Sequence, residues 1–260
     1  MEVVILDDPA AAGGLVGGAI ASLAAATPAL VLGLATGSSP LPVYADLRRR
    51  RAEGSLSLAT ARAFLLDEYV GLPPGHPQSY RTYVAREFEA GLDLADDAVQ
   101  GPDVQAADLP AACAAYEAAI DAAGGVDLQL LGIGADGHIG FNEPGSSLGS
   151  RTRLKTLGEQ TRRDNARFFA SADEVPRHVV TQGVATILQA RHIVLLAFGE
   201  AKAGALAAAV EGPVTAMIPA SALQLHPHVT VFVDEPAASG LRLAPYYRET
   251  WAAKPTWQSL

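Results

Sequence analysis

Leu30-Val31-Leu32-Gly33-Leu34-Ala35-Thr36-Gly37-Ser38-Ser39-Pro40 passes from an apolar, strand-length run through a small polar loop into a helical stretch, Leu41 to Glu53. A buried strand feeding a helix across a Gly/Ser loop is the repeating unit of a parallel α/β sheet. Similar apolar runs recur at Val3 to Leu6, Ala63 to Leu66, Leu128 to Leu131, Ile193 to Ala197 and Val229 to Val233. Helical stretches fall between several of them, at Ala10 to Ala26, Ser79 to Phe88, Leu109 to Ala123 and Ala201 to Val210. The fold expected is α/β: a doubly wound, mostly parallel open sheet flanked by helices, Rossmann-like in kind. With 260 residues, 49% of them hydrophobic, residues 1–260 suit one domain with one core. The polar stretch Leu157 to Arg177 has no clear period, and a mobile surface segment, an active-site lid around 157–180, is expected there.

A net charge of -9 argues against nucleic acid or an anionic membrane as partner, so an anionic ligand must meet a local positive cluster. The single cysteine, Cys113, lies in an Ala-rich helical stretch and has no disulfide partner, which points to packing and a reducing compartment. No basic leader precedes the first apolar run, and no run is read as long enough to cross a bilayer, so the cytoplasm is the expected location.

Polar residues gather after the strands: Thr36-Gly37-Ser38-Ser39-Pro40, Asp67-Glu68-Tyr69, Asp136-Gly137-His138 and Gly199-Glu200-Ala201-Lys202. In an open parallel sheet these positions share the carboxyl edge, where ligands bind. The loop holding Gly37, Ser38 and Ser39 can turn backbone N–H groups and a helix dipole toward a phosphate; a capped turn with Pro40 at the first helical position is the alternative. Lys202 and Arg167 are candidates for the compensating charge, against the alternative of solvated side chains.

Gly132-Ile133-Gly134-Ala135-Asp136-Gly137 matches a dinucleotide-binding pattern, but Pro144-Gly145 follows closely and signals a turn where that motif needs a helix. The glycines are better read as exposing Asp136 and His138. Asp136, His138 and Glu143 put two carboxylates around one imidazole, a set equipped for proton transfer to a sugar oxygen. Asp67 ends an apolar run whose low dielectric raises a carboxyl pKa and makes a base, while Glu68 points the other way. His226-Pro227-His228 lacks an acidic or thiolate partner and is assigned to structure, and no metal site is expected.

Six segments resemble, in order, the glucosamine-6-phosphate deaminase family (glucosamine/galactosamine-6-phosphate isomerases, of NagB-type fold). They are Leu34 to Pro40, Asp67 to Leu72, His76 to Tyr80, Gly134 to Pro144, Ser150 to Leu157 and Leu223 to Pro227. The resemblance implies conversion of glucosamine 6-phosphate to fructose 6-phosphate and ammonia in amino-sugar catabolism, with no metal or organic cofactor. It implies that His138 opens the pyranose ring with Asp136 and Glu143 tuning it, and that Asp67 takes the C2 proton. Phosphate contacts would fall on Gly37, Ser38, Ser39, Arg167 and Lys202. In regulated hexamers of the family, residues matching Ser147, Arg153 and Lys155 help bind the activator N-acetylglucosamine 6-phosphate, so a homo-oligomer with an allosteric site is expected. Ala244 to Leu260 matches poorly, which bears on that site. A 6-phosphogluconolactonase would share the phosphate loop but needs no C2 base. A sugar-phosphate sensor would need an output module beyond this chain's core.

Overall fold

The computed structural model describes residues 1–169, 171–255, 257–258 and 260, with the backbone alone at 164 and 172. Position 170 of the expected lid and positions 256 and 259 of the C-terminal tail lie outside the described residues. The chain opens with β1 (Glu2–Leu6) and α1 (Pro9–Ala26). Asp8 caps this helix by accepting the Ala11 N–H at 2.8 Å. Then come β2 (Val31–Leu34), α2 (Leu41–Ala52), β3 (Arg62–Leu65), β4 (Asp67–Tyr69) and α3 (Tyr80–Val84). A π-helical turn, Ala85–Glu89, extends α3.

After β5 (Val99–Gln100), α4 (Leu109–Ala122) and β6 (Leu128–Gly132), the chain leaves the main sheet through β7 (Arg153–Thr156), α5 (Glu159–Asn165) and β8 (His178–Thr181). It returns by α6 (Val184–Ile187) to β9 (His192–Ala197), α7 (Ala203–Glu211) and β10 (Val229–Asp234), and ends with α8 (Glu235–Ala238) and α9 (Ala244–Ala252).

Seven strands form one sheet in the order β1-β10-β9-β6-β2-β3-β5, and every pairing in it is parallel. Six of these strands are largely buried and read as unbroken apolar runs, which is why they were legible, whereas the two-residue β5 at the edge bears no such run. A second, antiparallel sheet, β4-β8-β7, stands at its carboxyl edge. Tyr69, Phe141, Leu157 and Val179 form a small separate core there.

The polar stretch Leu157 to Arg177 holds α5 and two single 3₁₀ turns, and β8 follows it. One expectation needs correction. Helix α1 has 18 residues and is apolar enough to span a bilayer by length and composition, contrary to the reading that no run is. Its buried Ala12, Gly13, Val16, Gly17 and Ile20 instead pack it into the domain, close against α2.

Candidate active site

Strand β2 delivers the chain to Thr36 and turns it at Gly37, whose φ of 83° lies in the left-handed region. The N–H groups of Gly37, Ser38 and Ser39 find no acceptor among the described residues. Pro40 occupies the N-cap without a side-chain acceptor, and Pro42, not Pro40, sits within the first turn of α2. The first turn therefore keeps orphan donors at the positive end of the helix, the arrangement that receives an anion. Two tyrosines brace the loop from behind: Tyr44 Oη donates to the Ala35 carbonyl at 2.7 Å and Tyr83 Oη to the Gly37 carbonyl at 2.6 Å.

The loop forms one wall of a cleft of about 960 Å³, a volume suited to a small metabolite. Lys202, Arg167 and Arg86 line the same cleft and supply the positive charge that the acidic bulk lacks. Lys202 closes a 3₁₀ turn after β9, and Arg167 lies just beyond α5, its guanidinium 4.7 Å from the Phe168 ring centre.

Asp67 opens β4 on another wall, only 5% exposed. Burial, and then the neighbouring Glu68 charge, push its carboxyl well above the usual range. No donor among the described residues hydrogen-bonds it, so a raised pKa is not relieved by the protein. Glu68 points away, as alternation requires, and caps α3: its carboxylate accepts from the N–H groups of Tyr69 (2.8 Å), Tyr80 (3.0 Å) and Arg81 (2.8 Å). Burial raises the Glu68 pKa and those three donors partly offset the rise.

The Gly134 to His138 segment is a tight turn closed by Gly134 N–H to the His138 carbonyl at 2.9 Å, and it opens no helix. His138 folds its ring back over Gly134, where a Cβ would stand 2.2 Å from Cε1, so that glycine makes room for the imidazole. Asp136 Oδ1 lies 2.6 Å from His138 Nδ1, so the carboxylate sits directly against one ring nitrogen of the imidazole. The imidazole beside it holds the Asp136 carboxyl below its ordinary pKa.

Glu143 turns elsewhere. Its oxygens lie 3.2 and 3.3 Å from the Gly158 N and accept from Thr161 Oγ1, and among the described residues no hydrogen bond joins it to His138.

The segment of α5 and the 3₁₀ turn after it contributes Thr161, Asn165, Arg167, Phe168 and Phe169 to the cleft. Phe169 meets Tyr69 edge-on at 5.8 Å and stacks on His76 at 6.2 Å, which seats it on the small aromatic core. Of the residues expected at the site, Gly37, Ser38, Ser39, Asp67, His138, Arg167 and Lys202 converge on the cleft, with Asp136 beside His138.

Ser147, Arg153 and Lys155 do not line the cleft. Arg153 and Lys155 share the better covered face of β7, and Ser147 lies in the preceding loop, where its hydroxyl accepts the Gly149 N–H at 3.2 Å. Arg151 pairs with Glu117 of α4 at 2.5 Å. Tyr80, Tyr83, Arg86, Thr161 and Asn165 were not singled out by sequence. The only signal for the last two is their place beside Arg167 in a polar run. His226 is buried with Nε2 2.7 Å from the Ala190 carbonyl, a structural setting, and among the described residues no cluster of His, Cys, Asp and Glu forms a metal-binding set.

A doubly wound sheet with a phosphate-type loop, a buried carboxyl and a His–Asp pair at one carboxyl-edge cleft defines an α/β enzyme class built for small anionic metabolites. The chain belongs to the glucosamine-6-phosphate isomerase/6-phosphogluconolactonase family, whose model matches residues 10–232. It is 62% identical over 260 residues to a glucosamine-6-phosphate deaminase of Arthrobacter sp. (strain FB24), covering all of both chains. It is 64% identical over 261 residues to that of Beutenbergia cavernae, again covering all of both. Among solved structures, a monomeric glucosamine-6-phosphate deaminase superposes with a TM-score of 0.89 at 42% identity, over 92% of this chain and 100% of that one. A 6-phosphogluconolactonase from Trypanosoma cruzi, at 22% identity and a TM-score of 0.72 over 93% of this chain and 97% of that one, shares the fold.

Proposed function

We propose that the protein converts glucosamine 6-phosphate and water to fructose 6-phosphate and ammonia, a step of amino-sugar catabolism. The observation that carries this reading is Asp67, a buried carboxyl with a raised pKa and no protein donor, facing the cleft that holds the open phosphate loop. A lactonase needs no such base. The phosphate docks on the Gly37 to Ser39 N–H groups, with Lys202 and Arg167 balancing its charge. His138, oriented by Asp136, moves the proton that opens the pyranose ring. The resulting aldehyde acidifies the C2 hydrogen, and Asp67 removes it. The proton is returned at C1, and water displaces the amine at C2, leaving the ketose and ammonia. Burial serves this sequence by making Asp67 a stronger base than a solvated carboxylate.

Incubating the protein with glucosamine 6-phosphate should release ammonia and fructose 6-phosphate in equal amounts. Hydrolysis of 6-phosphogluconolactone without ammonia release would replace the reading. Asp67→Asn should lower turnover by roughly 10²- to 10⁴-fold while phosphate-ester binding survives.

Four finer parts belong to the same proposal. Residues 1–260 act as one domain with a lid around 157–180, and the enzyme works in the cytoplasm. Ser147, Arg153 and Lys155 form an activator site for N-acetylglucosamine 6-phosphate in a homo-oligomer, a hexamer being the form the site requires. Support for the site is the pairing of Arg153 and Lys155 on one face of β7, with burial lowering the Arg153 pKa. The monomeric relative argues against the oligomeric part. Sizing the protein by light scattering, with and without N-acetylglucosamine 6-phosphate, separates the two.

A further inference from the structure

Glu143 and the lid are joined by contacts that neither phosphate docking nor the His138–Asp136 pair requires. Helix α5 is preceded by Gly158, an N-cap with no side chain of its own, whose N–H is shared between the two oxygens of a carboxylate fifteen residues earlier, Glu143. Thr161 Oγ1 donates to the same carboxylate from inside the first turn. Glycine at 158 lets the backbone come close, since a Cβ there would stand 3.2 Å from Glu143 Oε1. Elsewhere in the helix, Arg162 Nε donates to the Val175 carbonyl at 3.4 Å. The helix has 7 residues, too few to persist alone in water, and its Arg163–Glu159 pair is exposed.

Thr161 is itself buried and lines the cleft, and Asn165, four residues on, lies on the same side of the helix and lines it too. Arg167, Phe168 and Phe169 follow directly. Any displacement of these residues by a ligand is therefore felt at Thr161, and through its hydroxyl at Glu143.

We propose that Thr161 is a positioning residue, a clasp whose hydroxyl fixes the Glu143 carboxylate and the first turn of α5 together, so that lid and catalytic loop move as one body. The claim about turnover rests on the role given to Glu143 under the proposed function. The claim about the clasp does not.

Thr161→Val keeps the shape and removes the donor, and Thr161→Ser keeps the donor. Hydrogen exchange of the amides in 158–169 should quicken about tenfold in Thr161→Val, the scale of one lost hydrogen bond to a charged group. The same variant should lose about tenfold in kcat on glucosamine 6-phosphate with KM changed less than about threefold, and Thr161→Ser should restore both readouts. Wild-type exchange in Thr161→Val would overturn the clasp, whatever the protein's substrate proves to be. Faster exchange with unchanged kcat would overturn the positioning role. Equal impairment in the valine and serine variants would assign Thr161 to packing and overturn both. Should the wild-type protein release no ammonia, the deaminase reading and the turnover claim fall together, and exchange still decides the clasp.

Discussion

Asp67 is a residue whose placement sets stability against activity. Its folded pKa stands well above the ordinary carboxylate value because it is buried, so between those two values the folded state holds a proton that the unfolded state gives up. Stability accordingly falls as pH rises through that window, since the ionised form carries the cost of a buried charge. Asp67→Asn should lower turnover as stated above and yet raise the melting temperature, by about 2–4 °C for each kcal/mol relieved. Scanning calorimetry at pH 7 checks this; a variant no more stable than the parent would mean that cleft water already solvates the carboxylate. Asp67, His138 and the Gly37 to Ser39 loop were legible in the sequence because each follows directly on an apolar strand, and strand ends converge in this fold. The partner of Glu143 was not legible, because it lies in α5, a short helix with no apolar period of its own. Tyr83 and Arg86 reach the cleft from α3 and its π-helical extension, where spacing in the sequence does not say which side chains turn inward.

Elements matter here mainly through how closely they approach. Helix α1 touches α2 through glycines, and a Cβ at Gly13 would stand 2.5 Å from the Pro42 carbonyl oxygen, a backbone atom that cannot swing aside. Pro42 lies in the first turn of α2, directly after the phosphate loop. Gly13→Ala should therefore destabilise the fold by about 1–3 kcal/mol and raise KM by displacing the loop's donors. Gly14, its neighbour, has nothing within 4 Å of a built Cβ, so Gly14→Ala should instead stabilise by roughly 0.5–1 kcal/mol through helix propensity. Urea midpoints of the two variants check the pair, and matching shifts would show that helix propensity, not contact, governs both positions. The main strands were read correctly in kind and near their bounds, since burial on both faces leaves a continuous apolar signature. The second sheet escaped because Asp67–Tyr69 is three residues long and Arg153–Thr156 has a single apolar residue, Leu154, so neither bears an apolar strand pattern apart from its partner, β8.

Across the whole molecule the sheet has two edges with opposite responses to acid. The cleft sits at the carboxyl edge; at the other, His192 begins β9 and its ring lies 3.7 Å from that of His228, nearly parallel. His226 and Lys254 face the same cluster, Lys254 pairing with Glu2 at 2.7 Å, and the N-terminal ammonium lies near His228. Burial first, and then His228, His226 and Lys254, hold the His192 imidazole down to about 4, and burial likewise lowers that of His228. Folded His192 is therefore neutral where the unfolded chain, titrating near its ordinary 6.5, takes up a proton. Its contribution to stability is complete above that value and is lost as pH falls toward 4, by an amount on the order of 3 kcal/mol. Protonation of Asp67 acts in the opposite sense over its own window, silencing the proposed base while removing a buried charge. The two effects should separate by mutation. In His192→Gln the denaturation midpoint should depend less steeply on pH between 6.5 and 4, with the pH profile of kcat/KM unchanged. An equally steep midpoint would place the acid sensitivity of the fold outside the histidine stack, and a shifted kcat/KM profile would mean that the two edges of the sheet are coupled.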